Sequence, residues 1–326
     1  MNNLKTLAKS FANVYEDAKS IVICSHMNPD GDNLGSILSI YHLAQNHGKT
    51  AYLVCDDEIP TAESFLPGLE DRVHSETLKD QEFDLMIILD CADLNRTGKA
   101  KNLLKRSKYS VNIDHHNTND HFADLNIVDA QSPATAEIVF EIFQELNYKI
   151  TKEIATCLFT GIATDTGSFK YDSVRPRTFE IASILLGKGI NLNDITVHLF
   201  QSRTKEKTDL LLRALDTLEY YCDDKIGIVT VLESDITKAK ARKSDADGIV
   251  EFVRDIASIE LAILLKEKDD FIRLSTRSKK VFDCTKLASQ FNGGGHIRAS
   301  GGTIYNMTMD EAKKAVIAAA IKEMKK

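Results

Sequence analysis

Four apolar runs in the first third of this chain limit its fold more than any other feature. "SIVICS" (20–25), "TAYLVCD" (50–56), "FDLMIILD" (83–90) and "YSVNID" (109–114) are apolar nearly throughout, with Val111 and Ile113 alternating in the last. Strands of that kind need cover on both faces, the habit of parallel sheets. Helical patterns run between and after them. "DNLGSILSIYHLAQNHG" (32–48) is amphipathic and closed by Gly48, and further helical stretches occupy 133–147, 151–163 and 175–188. Alternation of β and α predicts an α/β fold, with a mostly parallel sheet and helices on its faces.

The pattern changes near residue 200. "RTKEKTDLLLRALDTLEYY" (203–221) is a charged-then-apolar helix suited to connect two bodies. "KIGIVTVLE" (225–233), "IELAILLKEK" (259–268) and "FIRLSTRS" (271–278) read as strands, the last two joined across Asp269-Asp270 as a hairpin. With helices at 245–256, 283–291 and 309–325 they predict a smaller α/β domain. The expected organisation is a first domain over 1–200, a helical connector over 201–224 and a second domain over 225–326.

The first-domain strands end in unusual company. His26, Asp30 and Asp32 follow the first in "SHMNPDGDNLG", and Asp90 and Asp93 close the third in "LDCAD". Asp114, His115 and His116 close the fourth. Asp165 ends a helical pattern in "TGIATDTGSF" (160–169). Ligands of open parallel sheets bind outside the carboxyl ends of the strands, so these groups are expected to converge on one edge. Taken singly each has a plain reading: Asn-Pro and Asp-Gly make turns, Asp32 can cap a helix, and Asp90 can bind backbone amides. Together, so many carboxylates would repel unless protonated or joined by cations. Mixed His and Asp ligation suits divalent transition ions, and its carboxylate richness favours Mn²⁺ or Mg²⁺ over structural zinc. Two ions sharing one carboxylate would form a centre for phosphate-ester hydrolysis.

Composition narrows the setting. A formal net charge of −7 argues against a duplex-coating protein, which is normally basic. The six cysteines, Cys24, Cys55, Cys91, Cys157, Cys222 and Cys284, form no C-x-x-C pair and read as buried small hydrophobes. The N-terminus lacks an apolar signal segment, and no run approaches the roughly 20 apolar residues of a membrane span, so a cytoplasmic protein is expected.

"HxxxDxD", "LDCAD", "DHH" and "GIATDTGSF", in that order, resemble the DHH phosphoesterase superfamily, and "FNGGGHIRASGG" (291–302) resembles its associated DHHA1 domain. The combination is most similar to the bacterial oligoribonuclease (nanoRNase)/pAp phosphatase family. That resemblance implies an N-terminal DHH domain and a C-terminal DHHA1 domain. It implies two Mn²⁺ ions, with Mg²⁺ or Co²⁺ as alternatives. His26 and Asp30 would hold one ion, and Asp32, His115 and Asp165 the other, with Asp90 shared. Asp114 would orient an imidazole, and His116 would face the scissile phosphate. The implied substrates are short single-stranded RNA, linear dinucleotides such as pApA, and pAp.

The second domain has phosphate-suited chemistry of its own. Gly293, Gly294 and Gly295 let backbone approach an anion, with His296 and Arg298 close behind. Arg273, Ser275 and Arg277 alternate onto one strand face. Arg273, Ser275, Arg277, Gly294, Gly295, His296 and Arg298 are therefore the expected substrate contacts, in a gap too closed for duplexes. The basic run "TKAKARK" (237–243) has no interleaved aromatics and reads as a solvated face. Three alternatives stand beside this reading: a manganese-dependent pyrophosphatase, a RecJ-like single-strand exonuclease, and a nucleotide-binding regulator without turnover. A homodimer is compatible with all of them.

Overall fold

The computed structural model describes residues 2–325, and the chain divides into two units between Ser202 and Arg203. In the first unit β1 (Ser20–Cys24), β2 (Thr50–Val54), β3 (Phe83–Leu89), β4 (Ser107–Asp114) and β5 (Leu125–Val128) form one sheet. Its order is β2-β1-β3-β4-β5 and every pairing is parallel. The fifth strand, "LNIV", is too short to stand out in the sequence. Pairing with β4, Ile127 opposite Ile113, makes it a strand.

Residues alternate between two cores along the sheet, which explains the unbroken apolar runs. Ile21, Ile23, Leu85, Ile87, Leu89, Val111 and Ile113 face the larger core. That core is covered by α1 (Asn2–Asp17), α2 (Gly31–Asn46), α3 (Thr135–Glu145), α4 (Lys152–Asp165), α5 (Pro176–Leu186) and α6 (Leu192–Phe200). Val22, Cys24, Met86 and Ile88 face the other side. There the cover comes from 3₁₀ segments at 75–78 and 94–106, through Leu78, Ala100 and Leu103, and not from long α-helices. Each fully buried aliphatic side chain contributes about 1.5–3 kcal/mol of transfer free energy, so both faces need this cover.

α2 and α4 cross at glycines. A methyl group on Gly35 would lie 2.4 Å from the Cys157 carbonyl, and one on Gly161 would lie 2.9 Å from Asp32 Oδ1. This close approach brings the carboxylates of α2 toward the C-terminal end of α4.

The second unit holds α7 (Lys205–Asp216), β6 (Glu219–Tyr221), β7 (Ile226–Val231), α8 (Glu233–Ala239), α9 (Ile249–Arg254), β8 (Leu261–Glu267) and β9 (Phe271–Ser278). It continues through α10 (Cys284–Ala288), β10 (Gly294–His296), β11 (Ala299–Tyr305) and α11 (Met309–Met324). The sheet order is β10-β11-β9-β8-β7-β6, with only β7 and β8 parallel. The helix expected as a connector packs Leu210, Leu211 and Ala214 of α7 into this unit's own core, against Val229 and Val231.

The glycine-rich stretch expected to approach an anion forms a hairpin of β10 and β11. Gly293 serves backbone packing, since a methyl group there would lie 2.0 Å from the Gly301 carbonyl oxygen, whereas Gly294 faces open space. The described residues contain no helix long and apolar enough to cross a membrane. All six cysteines are free, and five are buried.

Candidate metal centre at the strand ends

Parallel strands deliver the imidazoles and carboxylates to one place. Ligand atoms of His26, Asp30 and Asp90 lie within 4.8 Å of one another, as do those of Asp32, His115 and Asp165, and those of Asp90, His115 and His116. Asp90 stands centrally, 3.5 Å from His26 Nε2 through Oδ2 and 3.5 Å from His115 Nε2 through Oδ1. Its backbone is left-handed, with φ of 56°, a conformation Asp tolerates better than most residues but still at a cost. Asp93 is not part of the group; its Oδ1 accepts from Asn95 N (2.8 Å) and caps the 3₁₀ segment.

Both candidate ligand histidines are oriented by backbone carbonyls. His26 Nδ1 donates to Met27 O (2.9 Å), and His115 Nδ1 donates to Ser132 O (3.2 Å). Each therefore aims Nε2 at carboxylate oxygens, the arrangement in which metal-binding imidazoles are normally held. The donor set thus fits divalent cations on its own chemistry.

Asp32 and Asp90 are tied to the start of α3. Asp32 Oδ2 accepts from Thr135 N (2.6 Å) and Oδ1 from Ala136 N (2.9 Å). Thr135 Oγ1 donates to Asp90 Oδ1 (3.0 Å). The positive end of α3 thereby offsets part of the carboxylate repulsion. Sequence reasoning missed Thr135, whose only signal was a hydroxyl at the start of the amphipathic stretch after "SPA". It also missed Arg96, whose Nη2 lies 3.4 Å from His26 Nδ1.

The imidazole that Asp114 orients belongs to His116. Asp114 is fully buried, and its Oδ1 accepts from His116 Nδ1 (2.7 Å) and from His115 N (2.9 Å). Its Oδ2 accepts from Asn119 Nδ2 (2.6 Å), a further partner not anticipated from sequence.

Electrostatics express the crowding. Burial pushes Asp32 well above the carboxylate range, and the charge of Asp90 pushes it further. Asp30 rises for the same two reasons. Burial lifts Asp165 to about 7, with His115 pulling against it and Asp90 adding to it. Asp90 goes the other way. Burial works to raise it, yet the His26 hydrogen bond and the charges of His115 and His116 hold it down to about 2. The Asp114 hydrogen bond raises His116 to about 9, against a smaller effect of burial.

A stability prediction follows. Unfolded Asp165 loses its proton near 3.8, whereas the folded residue keeps it to about 7. Native protein therefore binds more protons across that window, and stability must fall as pH rises through it. His116 acts in the same direction between 6.5 and about 9. Asp90 acts oppositely, but only between about 2 and 3.8. Scanning calorimetry of chelator-treated protein should show a midpoint lower at pH 8 than at pH 5 by roughly 5 °C or more. A midpoint that rises over this range would contradict the assigned carboxylate environments.

In the second unit, pairing places five of the seven expected substrate residues on one sheet face. Arg277 lies opposite Ala299, Ser275 opposite Gly301 and Arg273 opposite Thr303, while Gly294 and His296 pair with Gly301 and Ala299. Gly295 faces the other way, opposite Ser300. Two arginines are already engaged. Arg277 Nε pairs with Glu251 Oε1 (2.8 Å), and Arg298 Nη1 donates to Phe282 O (2.9 Å), fixing the 278–282 turn. Arg273 is exposed and reaches only Thr303 Oγ1 (3.4 Å) among the described residues. The basic run at 237–243 ends in ion pairs of Lys243 with Glu233 and Asp269.

This sheet edge and its cluster define a phosphoesterase of the DHH class. Residues 20–162 match the DHH family, N-terminal domain, and residues 224–326 match the DHHA1 domain; the chain belongs to this family of hydrolytic enzymes. Among its relatives, the bifunctional oligoribonuclease and PAP phosphatase NrnA of Thermus thermophilus is 30% identical, covering 93% of this chain and 90% of the relative. The protein of the same name from Bacillus subtilis is 26% identical, over 90% of this chain and 92% of its own. The crystal structure of an exopolyphosphatase-related protein from Bacteroides fragilis superposes with a TM-score of 0.91 at 30% identity, covering 97% of this chain and 96% of that one.

Proposed function

We propose that this protein is a Mn²⁺-dependent phosphoesterase acting on short oligoribonucleotides, linear dinucleotides such as pApA, and pAp. It would release mononucleotides from the first two and AMP from the third. The observation that carries this reading is Asp90, a buried carboxylate held between two imidazoles whose Nε2 atoms both point at it. The names of the relatives from Thermus and Bacillus support the substrates. The DHHA1 match supports nucleotide substrates over pyrophosphate.

In this reading His26 and Asp30 hold one divalent ion and Asp32, His115 and Asp165 the other, with Asp90 shared. Bound there, the ions supply an activated water and charge to offset that of the phosphate. The chain's own groups do the rest. Met27 and Ser132 carbonyls fix the two ligand imidazoles, and the amides at the start of α3 hold Asp32 in place. Asp114 keeps a proton on His116 and orients its imidazole, the group proposed to donate to a phosphate oxygen or leaving oxygen. Arg273, Ser275, Gly294 and His296 are the proposed substrate contacts of the second unit. Arg277, Arg298 and Gly295 would contribute through the shape of that surface.

Nucleotide release from pAp and from an RNA trimer tests the reading. AMP from pAp and mononucleotides from the trimer are expected with Mn²⁺, abolished by EDTA and restored by excess Mn²⁺. Turnover of pyrophosphate alone would overturn it, as would undiminished activity in EDTA.

A further inference from the structure

On the β2 side of His26 the first unit carries a cleft of about 850 Å³ that the proposed chemistry leaves unused. Its walls come from the ends of β1 and β2 and from the 3₁₀ segments at 75–78 and 94–106. The cleft therefore lies beside the point where the strand order reverses, between β2-β1 and β3-β4-β5. Crevices at that place in open parallel sheets are where ligands bind. Of the candidate metal cluster, His26 also belongs to the cleft lining, which places the cleft next to that cluster.

The lining decides what kind of ligand. The volume falls within the roughly 300–1,000 Å³ of small-molecule sites, enough for a nucleoside. Met27 and Val54 offer apolar surface, and Asn95 offers a hydrogen-bonding edge. A second phosphate is poorly served. The carboxylates of Asp56, Asp57 and Glu76 line the cleft, and its basic groups have partners: Lys99 is 3.7 Å from Glu76, Lys101 donates to Asn95 Oδ1 (3.1 Å) and His74 lies 3.7 Å from Asp56. A neutral heterocycle with its sugar fits that chemistry better than an anion.

The carboxylates of the lining differ in how fully they are engaged. Both oxygens of Asp56 are used, Oδ1 accepting from Ser75 N (2.7 Å) and Oδ2 from Ser75 Oγ (2.7 Å). Asp57 differs. Its Oδ2 accepts from Asn28 N (2.7 Å), and its Oδ1 has no hydrogen-bond partner among the described residues. A carboxylate at the end of the second strand, with one oxygen to spare, is a natural acceptor for a ribose hydroxyl. The 2′-hydroxyl is the group by which a protein tells RNA from DNA.

We propose that this cleft holds one nucleoside of the substrate, with Asp57 Oδ1 accepting from the ribose 2′-hydroxyl, so that the first unit itself selects ribonucleotides. This rests on the reading of the protein as a nucleotide phosphoesterase, and the test separates the two.

The experiment titrates AMP and dAMP, which as products are not turned over, calorimetrically into the full chain with Mn²⁺. It also compares kcat/KM for ApA and its deoxy counterpart with Mn²⁺. Wild type should favour the ribo form by about tenfold or more in both readouts, the range for a hydrogen bond to a charged group. Asp57→Asn keeps an oxygen for the Asn28 amide but loses the anionic acceptor. Its ribo-to-deoxy ratio should fall to near one, chiefly through KM. Asn102→Trp, an exposed position lining the cleft, should weaken AMP and dAMP alike by filling it. Equal affinity of wild type for AMP and dAMP overturns the proposal. So does an Asp57→Asn variant that loses both substrates equally, since that marks a merely structural role. Unchanged nucleotide binding in Asn102→Trp overturns it as well. The binding arm needs no turnover. Ribose preference without hydrolysis supports the cleft and sinks the proposed function, whereas hydrolysis without ribose preference does the reverse.

Discussion

Asp90→Ala is expected to lower kcat on pAp and on short RNA by on the order of 10³-fold or more. Divalent ions contribute several kcal/mol of charge stabilisation in phosphoryl hydrolysis, and each ~1.4 kcal/mol is a tenfold change in rate. Asp90 is the residue whose loss should remove most of that. Ligand atoms of His26 and Asp30 gather with it on one side, and those of His115 and His116 on the other. Alanine also leaves Thr135 Oγ1 without its acceptor and must occupy the left-handed backbone of residue 90. Some loss of stability would therefore accompany the loss of activity. Asp90→Asn separates the two effects, because asparagine tolerates that backbone and still accepts from Thr135. The amide variant should melt near the wild-type midpoint, bind Mn²⁺ at least about tenfold more weakly by calorimetry, and remain inactive. Wild-type metal stoichiometry with activity within tenfold of normal would remove Asp90 from the centre of the site.

The second large effect is expected at Asp114→Asn, with kcat falling by about 10²-fold, the usual contribution of a positioned acid. In the wild type the Asp114 carboxylate holds His116 protonated up to about 9. An amide at 114 can still accept from His115 N but brings no charge to His116. The imidazole then returns toward its ordinary value of about 6.5. At pH 6 most of the variant's His116 still carries its proton, whereas at pH 8 most has lost it. The deficit should therefore be larger at pH 8 than at pH 6, and the alkaline limb of the rate profile should move down. Mn²⁺ binding should be nearly unaffected. A deficit equal at both pH values would show that Asp114 only positions its neighbours.

The layout of the sheet was legible because β1 and β3 are apolar on both faces, and only a covered parallel sheet accommodates that. From parallel strands alone, residues that follow them must meet at one edge. That is why His26, Asp90 and His115 gather although long stretches of chain separate them. Residues supplied by helices were harder to place. Asp32 reaches the group because Gly35 and Gly161 let α2 and α4 nearly touch, a contact with no local signature. The glycine-rich hairpin lay beyond local reading for a related reason. Consecutive glycines permit close backbone approach to an anion or to another strand, and only the opposing strand shows that Gly293 packs against Gly301.

Sequence alone determined the α/β class and the residue types gathered at the strand ends, because periodicity and polarity are properties of the chain itself. Tertiary structure alone decided which groups hold one another. Asp114 serves His116, Thr135 and the α3 amides serve Asp90 and Asp32, and Asp57 keeps one oxygen to spare beside the cleft. Such partnerships join residues as much as 104 positions apart and depend on angstrom-scale placement. Hydrogen bonds weaken steeply with distance and angle, so they become defined only when the packed core fixes both partners.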